Sequence, residues 1–562
     1  PDHGIDRNRS YVPLPVTENG EWDVKVELYN PIAQPKDLLN EQNAPAEHSP
    51  PPLYLLENKL VVRNKALEEL VYLLKTFVEA VQLLPSDHMN RINVTNIIRK
   101  YMETAEHYPA EQWADQTWVK EQIDVLKEQF ETSTESAQGI IHLVGQSHID
   151  LAWLWPAKET IRKTSRTFST MSTLLERYPT FTYAQSQPQA FVHLKEHFPD
   201  VYERVKKHIQ SDRFELVGGM WVEPDLNIPS GESLVRQLLY GLEFYEKEFG
   251  KRPTIEWLPD TFGYSASLPQ ILKLAGMEYF MTTKMNWNDT NPFPYDLFYW
   301  EGIDGTKIPS VLIHGVNEYT HPKEISDHWK SYKQKDVYPE QMLLYGHGDG
   351  GGGVTREMLA YANTTENLPG LPRVKNSTAH EFFEGIKKKD PELPVWSGDM
   401  YLELHRGTYT THAYNKKANR YAEHLYREAE LWSTFSSLYG HEPNFAELED
   451  QWKLLLFNQF HDIIPGTSIP EVYEQSNKDY EQIFRTGEEI REEAIKHIVK
   501  QIDMPEKGTP YVLFNSLSWE RNETIHITGG DELRHIQVKD ESGENLPVVI
   551  KDGEGQQIEA TI

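Results

Sequence analysis

Two side chains of metal-ligand type, His148 and Asp150, lie two positions apart in residues 146–153, directly after a short apolar run. On an extended backbone, residues i and i+2 point to the same side, so both side chains can reach one metal ion. The alternative is a solvated loop that carries two polar side chains. This segment alone does not decide between the two.

A second candidate, Asp260, follows another short apolar run. Pro259 fixes the backbone before it, and Gly263 permits a tight turn beyond it. The carboxylate is therefore expected at a strand end, where catalytic groups of α/β folds lie. The alternative interpretation is an Asp that caps the following helix.

A third candidate, His461, lies where an aromatic-rich helical pattern stops before a Pro-Gly turn in residues 458–467. A lone histidine near a helix end is more often a core or C-cap residue than a ligand. The spacing of the residues leaves both interpretations open.

A glycine-rich loop at residues 344–353 carries Asp349 and contains the pattern G-x-G-x-x-G. A dinucleotide-binding fingerprint needs a βαβ unit and an acidic residue at the end of the next strand, and no clear strand follows at that distance. We favour a loop whose glycines leave room for a sugar ring beside Asp349.

The residues around these motifs alternate between short apolar runs and helical patterns, which predicts an α/β fold of parallel strands with crossover helices. Ligands collect at the carboxyl ends of such strands. The predicted strands are residues 139–145, 181–185, 214–218, 254–258, 279–283 and 311–314. The predicted crossover helices include residues 157–178 and 354–363.

The residue patterns at both ends of the chain differ from the alternating strand and helix pattern of its central part. An amphipathic helix is predicted at residues 58–84, after a segment rich in Pro, Asn and Glu. Long helical patterns at 418–439, 445–460 and 469–499 predict a helical bundle, and strands at 511–515 and 523–527 begin a β domain. We therefore predict four regions: 1–138, 139–400, 401–505 and 506–562. We expect the chain to be a piece of a longer protein.

The composition excludes several classes of partner and site. Lys plus Arg number 56 against 86 Asp plus Glu, a net charge of −30, which repels nucleic acid and anionic membrane surfaces. No apolar stretch approaches the length of a membrane span. Cysteine is absent, so a bound metal must use imidazole and carboxylate ligands.

Together these motifs resemble glycoside hydrolase family 38, the α-mannosidases, and especially the branch that includes the cytosolic enzymes. The resemblance runs from about residue 139 to beyond residue 515 and includes residues 405–411. It implies a seven-stranded β/α barrel, a three-helix bundle and the start of C-terminal β domains. It also implies a cytoplasmic enzyme that acts on mannose-containing oligosaccharides, and it leaves a homo-oligomer open.

The resemblance also implies roles for the motif residues. His148, Asp150, Asp260 and His461 match the ligands of one zinc ion, which in the family binds the 2- and 3-hydroxyls of mannose. Asp260 is then the carboxylate that attacks the anomeric carbon in a retaining mechanism. We predict Asp349 as the acid/base, since a poorly hydrated pocket and nearby negative charge keep a carboxyl protonated.

Asp462, beside a metal ligand, is expected to hydrogen-bond the sugar, and Trp153 and Tyr264 are expected to offer ring faces for stacking. Lys284 is expected to steady the Asp260 carboxylate, with an exposed lysine as the alternative. The predicted substrate contacts are Trp153, Tyr264, Lys284, Arg406, Tyr409 and Asp462.

Two other functions compete with a glycosidase. A metal-dependent carbohydrate deacetylase usually takes two histidines from one His-x-x-x-His element, and His193 with His197 is the obvious candidate, although it lies away from the predicted strand ends. A non-catalytic carbohydrate-binding protein needs no paired carboxylates, so the presence of both Asp260 and Asp349 argues against it.

Overall fold

The computed structural model describes four stretches of the chain: residues 63–131, 139–504, 508–552 and 558–561. The chain divides into two compact units, the first with Pro1–Arg427 and Asn444–Glu489, the second with Glu428–Pro443 and Ile490–Ile562. All four motifs lie in the first unit. No helix within the described stretches is both long enough and apolar enough to cross a membrane.

Among the described residues, four helices precede the first strand: α1 Lys65–Gln82, α2 Met89–Ala105, α3 Ala110–Ala114 and α4 Gln116–Glu131. The side chain of Asn64 caps α1 by accepting a hydrogen bond from the Leu67 amide. The helix predicted at residues 58–84 is confirmed from residue 65 onward, whereas residues 1–62 and 132–138 lie outside the described part of the chain.

Ten strands are described in the first unit. They are β1 Ile140–Gln146, β2 Tyr183–Gln185, β3 Phe214–Leu216, β4 Ile255–Trp257, β5 Tyr279–Thr282, β6 Leu297–Glu301, β7 Lys307–Leu312, β8 Glu340–Tyr345, β9 Arg373–Asn376 and β10 Val395–Ser397. All six predicted strands are confirmed, as β1 to β5 and β7. The short polar strand β9 was not predicted, because charged residues occupy two of its four positions.

These strands form two five-stranded sheets. The first has the order β3-β2-β1-β8, with β9 also paired to β1, and all its pairs are parallel. The second has the order β10-β6-β7-β5-β4 and is parallel except for the β6–β7 pair. The prediction of a parallel α/β fold is therefore confirmed, with one antiparallel hairpin as the exception.

The two sheets adjoin at both edges. Next to β3, the Gly218 amide donates to the Ile255 carbonyl of β4 at 2.8 Å. After β7, Glu318 forms an isolated parallel bridge with Tyr345 at the end of β8. One buried apolar cluster includes strand residues of both sheets: Val144, Ala184, Ile255, Met281, Val311 and Leu344. The sheets thus share a core, while the closed seven-stranded barrel stays a prediction.

Helices alternate with the strands as predicted. Between the strands lie α5 Ala157–Arg177, α6 Pro188–His197, α7 Pro199–Gln210, α8 Gly231–Phe249, α9 Leu268–Leu274, α10 Pro322–Ser331, α11 Arg356–Ala362 and α12 Ala379–Lys389. Short 3-10 helices span Lys284–Trp287 and Arg406–Tyr409. Three long helices follow: α13 Ala413–Ser437, α14 Phe445–Asn458 and α15 Pro470–Val499. These confirm the predicted helices, whereas their arrangement as a three-helix bundle stays a prediction.

The second unit contains short strands after residue 525. They are β11 His526–Gly529, β12 Val538–Lys539, β13 Asn545–Leu546, β14 Val549–Asp552 and β15 Ile558–Thr561, with a 3-10 helix at Asp531–His535. The strand predicted at residues 511–515 is wrong, because that segment forms no ladder and exposes Tyr511 and Leu513. A run of apolar residues predicts a strand only where a partner strand is available to it.

Helix α8 packs closely against the segment that follows β3. A Cβ atom on Gly241 would lie 2.1 Å from the Gly219 carbonyl oxygen. We therefore predict that Gly241→Ala lowers the free energy of unfolding by about 1–3 kcal/mol, although alanine favours an isolated helix. Gly231→Ala, at the start of the same helix with open space around it, is the control and should be neutral or stabilising. Urea denaturation of both variants measures this, and equal stability of the two would contradict the close packing.

Candidate metal centre and active site

Four side chains converge beyond the carboxyl ends of β1 and β4: His148, Asp150, Asp260 and His461. One ligand-type atom from each lies within 4.8 Å of the others. The His148 Nε2 atom is 2.8 Å from Asp150 Oδ1 and 4.0 Å from Asp260 Oδ2. The His461 Nε2 atom is 3.4 Å and 3.7 Å from the same two oxygens. The set can hold one metal ion.

Local backbone contacts fix the loops that carry these side chains. On α5, Thr160 Oγ1 donates to the Leu151 carbonyl at 2.7 Å, which anchors the loop after β1. After β5, Thr283 donates to the Pro259 carbonyl from both its amide, at 3.2 Å, and its hydroxyl, at 2.8 Å. The turn before Asp260 is thus tied to the neighbouring strand of the same sheet.

Glu223, which follows β3, contacts both histidines. Its carbonyl oxygen lies 2.8 Å from His461 Nδ1, and its Oε2 atom lies 3.1 Å from His148 Nδ1. A carbonyl cannot donate, so His461 Nδ1 carries the hydrogen and Nε2 of the neutral ring keeps its lone pair. Glu223 was not predicted from the sequence, because it lies several residues beyond the end of β3 and its role arises only from tertiary contacts.

The charges of the cluster favour a cation. Burial opposes protonation of His148, but Glu223 and Asp150 outweigh it and raise the pKa of His148 well above its ordinary value. Burial opposes protonation of His461, but the nearby carboxyl groups of Asp150, Asp462 and Asp260 outweigh it and raise the pKa of His461 to about 9. The cavity therefore attracts positive charge, which a divalent cation supplies without protonating the imidazoles.

The donor set fits such an ion. The His461 Nε2 atom is buried, has no hydrogen-bond partner within the described ranges and faces Asp150 and Asp260, as the nitrogen of a metal-binding imidazole would. Two imidazoles and two carboxylates suit zinc and related divalent metals. Buried polar atoms without partners are costly, and a bound cation removes that cost.

Lys284 pairs with Asp260 as predicted. Its Nζ atom lies 2.6 Å from Asp260 Oδ1, and its side chain is only 5% exposed, so the alternative of an exposed lysine is wrong. The ammonium also lies 4.3 Å from the Trp287 ring centroid and 5.0 Å from that of Phe262. These ring faces stabilise the cation where little water reaches it.

Asp349 extends from the glycine loop after β8 and reaches solvent. Asn317 binds it twice: the amide nitrogen of Asn317 donates to Asp349 Oδ2 at 2.7 Å, and its amide oxygen accepts from the Asp349 amide at 3.1 Å. Partial desolvation by the surrounding protein, followed by repulsion from Asp260 and Asp150, raises the pKa of Asp349. Asn317 was not predicted, because a lone Asn carries no motif.

Asp462 is buried, and its carboxylate accepts a hydrogen bond from the Thr467 hydroxyl. Burial first, then repulsion by Asp150 and Asp260, raises the pKa of Asp462 to about 8. Its Oδ2 atom lies 3.8 Å from His461 Nε2, at the edge of the four-ligand cluster.

Trp153 is half-buried in the loop after Asp150, and its ring meets Trp155 edge to face at 5.6 Å. The prediction that Tyr264 stacks on the sugar is wrong, since this side chain is 0% exposed and its hydroxyl donates to the Leu258 carbonyl at 2.9 Å. Its ring packs on Phe280 in the core. The sequence alone does not distinguish an aromatic residue that faces a binding site from one that packs in the core, even when the residue lies near a motif.

Arg406 and Tyr409 both reach solvent. Arg406 pairs with exposed Asp289 at 2.9 Å, and Tyr409 lies parallel to Tyr401 with ring centroids 6.4 Å apart. Substrate contacts by Arg406 and Tyr409 stay predictions.

Two alternative motifs lie apart from the cluster. His193 and His197 lie on α6, and neither belongs to the four-ligand group that a deacetylase site would need. After the glycine loop, the next strand, β9, ends at Asn376 rather than at an acidic residue. Both the deacetylase and the dinucleotide interpretations therefore lack their supporting residues.

The parallel α/β fold, with two histidines and two aspartates clustered beside its strand ends, is typical of α/β enzymes that can bind a metal ion there. Residues 138–399 match the model described as "Glycosyl hydrolases family 38 N-terminal domain", and residues 403–498 match "Alpha mannosidase middle domain". The chain belongs to glycoside hydrolase family 38.

Two proteins that are similar in sequence to this chain are named α-mannosidases. The chain is 41% identical to Alpha-mannosidase G of Dictyostelium discoideum over 66% of this chain and 34% of that protein. It is 40% identical to Alpha-mannosidase 2C1 of Homo sapiens over 70% of this chain and 38% of that protein. The matches thus span little more than a third of these relatives' length.

An α-mannosidase structure from Enterococcus faecalis V583 has a TM-score of 0.63 at 22% identity, and covers 75% of this chain and 54% of that one. At this level of identity, the similarity shows a shared fold and nothing more.

The four-ligand cluster predicts specific metal binding. We expect the wild-type chain to bind about one Zn²⁺ per chain, and His461→Ala to weaken binding by about 100-fold or more, because it removes one of four ligands. His193→Ala, on helix α6, is the control and should bind like wild type. Competition with a chromogenic chelator measures the affinities. Equal affinities of the two variants would place the metal elsewhere.

Proposed function

We propose that the chain is the catalytic part of a zinc-dependent retaining α-mannosidase that removes terminal α-linked mannose from oligosaccharides. The observation that carries the proposal is the convergence of His148, Asp150, Asp260 and His461 within 4.8 Å, beside the Lys284–Asp260 pair. Family membership and the names of the relatives support the sugar specificity.

Zinc, held by those four residues, would supply Lewis-acid binding of vicinal sugar hydroxyls, which favours a distorted ring. Mannose differs from glucose by its axial 2-hydroxyl, so such binding also provides specificity. Two imidazoles and two carboxylates are ligands that zinc accepts in an open site.

Asp260 is the proposed nucleophile. Its Oδ2 atom faces the histidines, whereas its Oδ1 atom accepts from Lys284 at 2.6 Å. In the first step, Asp260 forms a bond to the anomeric carbon as the glycosidic bond breaks. In the second step, water attacks that carbon and the Asp260 carboxylate leaves. Lys284 stabilises this carboxylate before attack and on departure.

Asp349 is the proposed acid/base. It gives its proton to the departing glycosidic oxygen in the first step and takes one from the attacking water in the second. A raised pKa keeps the carboxyl protonated to higher pH than an ordinary Asp, which suits the first role. Asn317 holds the loop that carries it.

The remaining proposed sugar contacts surround this pair. Asp462 lies at the edge of the metal cluster and offers a carboxyl to a sugar hydroxyl. Trp153 offers a partly exposed ring after Asp150. Arg406 and Tyr409 are proposed to contact more distant parts of the substrate, where their exposure leaves them accessible.

We further propose that the two adjoining sheets are halves of one seven-stranded β/α barrel and that α13 to α15 form a three-helix bundle. The edge contacts at Gly218 and Glu318 and the shared apolar core support the barrel. The proposed regions are 1–138, 139–400, 401–505 and 506–562. A cytoplasmic location is proposed from the relatives of the 2C1 type and the absence of cysteine.

Hydrolysis of an aryl α-mannoside tests the function directly. The full-length protein should release the aryl group, lose the activity with a chelator and regain it with Zn²⁺. Proton NMR should record the α-anomer of mannose as the first product, as retention requires. Release of the β-anomer would contradict retention, and release of acetate from N-acetylated sugars without mannoside hydrolysis would favour a deacetylase.

Substitution of Asp260 tests the nucleophile, and activity is measured at saturating Zn²⁺ because Asp260 is also a proposed metal ligand. Asp260→Asn should lower kcat by about 1,000-fold or more, since the amide cannot form the covalent intermediate. Asp304→Asn, in an exposed turn, is the control and should keep full activity. Comparable activity of Asp260→Asn and wild type would refute the assigned nucleophile.

The hydrogen bond from the Asn317 side chain to the Asp349 carboxyl predicts an effect on the pH dependence of activity. Its amide stabilises the ionised form of the Asp349 carboxyl, so it opposes the rise in the pKa of Asp349. Asn317→Ala should raise this pKa further. Because the acid must be protonated, the alkaline limb of the kcat/KM profile should move to higher pH. A shift to lower pH, or none, would argue against Asp349 as the acid.

A further inference from the structure

Glu223 has polar contacts that nothing in the proposed reaction uses. It is 2% exposed and contacts the Nδ1 atoms of both histidines, but it is not one of the four converging ligands. Its backbone oxygen accepts from the His461 amide at 3.2 Å and lies 2.8 Å from His461 Nδ1. One residue thereby fixes both the backbone and the ring of His461.

The side chain of Glu223 serves the other histidine. Its Oε2 atom and His148 Nδ1 are both buried, 3.1 Å apart, and neither has a hydrogen-bond partner elsewhere in the part of the chain that the structure describes. The Ser186 hydroxyl donates to the other carboxylate oxygen, Oε1, at 2.5 Å. The carboxylate is therefore held from one side and directed at the imidazole from the other.

Gln187 connects Glu223 to the loop that carries His148 and Asp150. Its side-chain oxygen accepts from the Glu223 amide at 3.2 Å, and its side-chain nitrogen donates to the Ile149 carbonyl at 2.9 Å. Gln187 has a φ of 70°, which is costly for a non-glycine residue and persists where surrounding contacts enforce it. This strained residue ties together the loops after β1 and β3.

We infer that Glu223 is a positioning residue that orients His148 and His461 so that both present Nε2 to one metal ion, with Ser186 and Gln187 fixing Glu223. Hydrogen bonds to the far nitrogen of a metal-binding imidazole set its tautomer and its ring angle, and a carboxylate partner also increases its basicity. The inference rests on the proposed metal site and adds residues to it that do not touch the ion.

The test compares matched substitutions of two buried glutamates in the full chain. Glu223→Gln keeps the size and removes the negative charge. Glu256→Gln is the control, because Glu256 is 0% exposed on β4 and its Oε2 atom accepts from the Gly219 amide rather than from a histidine. The probes are Zn²⁺, in competition with a chromogenic chelator, and Co²⁺, through its visible d–d absorption.

We expect Glu223→Gln to weaken Zn²⁺ binding about 10- to 100-fold and to change the Co²⁺ spectrum, because the His148 imidazole loses its carboxylate partner. Glu256→Gln should leave both unchanged. Ser186→Ala, a milder change that removes one hydrogen bond to Glu223, should weaken Zn²⁺ binding about fivefold. It provides the same comparison if Glu223→Gln does not fold.

Wild-type affinity and an unaltered Co²⁺ spectrum in Glu223→Gln would overturn the inference. Equal losses in Glu223→Gln and Glu256→Gln would also overturn it, since they would show a general effect of altering a buried glutamate near the site. If the wild-type chain binds neither ion, the proposed metal site itself fails. If the wild type binds one ion and only the Glu223 comparison fails, the proposed function stands without this residue.

Discussion

The candidate metal site depends on positive charge that compensates its clustered, buried carboxyl groups. The carboxyl groups of Asp150, Glu223, Asp260 and Asp462 surround two buried imidazoles, and negative charge on each carboxyl group raises the cost of ionising the others. The Lys284 ammonium donates a hydrogen bond to Asp260 Oδ1 and so compensates part of the negative charge of Asp260. A divalent cation bound by the two Nε2 atoms compensates much of the remainder, so the site is stable as a whole only when positive charge is present.

The fold meets this requirement by bringing strand ends together. β1 and β4 belong to different sheets, yet the loops after them carry three of the four ligands, and the fourth follows α14. The close approach of α8 to Gly219 holds the segment that leads to Glu223. Packing some distance from the chemistry therefore decides whether the ligand atoms stay within reach of one ion.

The sequence predicted the parts of the molecule that follow local rules. Six strands and the long helices were predicted because apolar periodicity is local, whereas the four ligands were predicted from the resemblance of their motifs to family 38, since their spacing alone left the alternatives open. Tyr264 was placed wrongly because burial of a ring depends on distant residues, and residues 511–515 because a strand needs a partner. Glu223 and Asn317 were missed because their roles arise only from tertiary contacts.

The central claim is that four distant side chains bind one cation beside the attacking carboxylate. Anomalous diffraction at the zinc edge, from crystals of the full chain grown with Zn²⁺, tests it most directly. The account predicts a single strong peak within about 2.0–2.2 Å of His148 Nε2, His461 Nε2 and one oxygen each of Asp150 and Asp260. A peak bound by other residues, with these four left unligated, would contradict it.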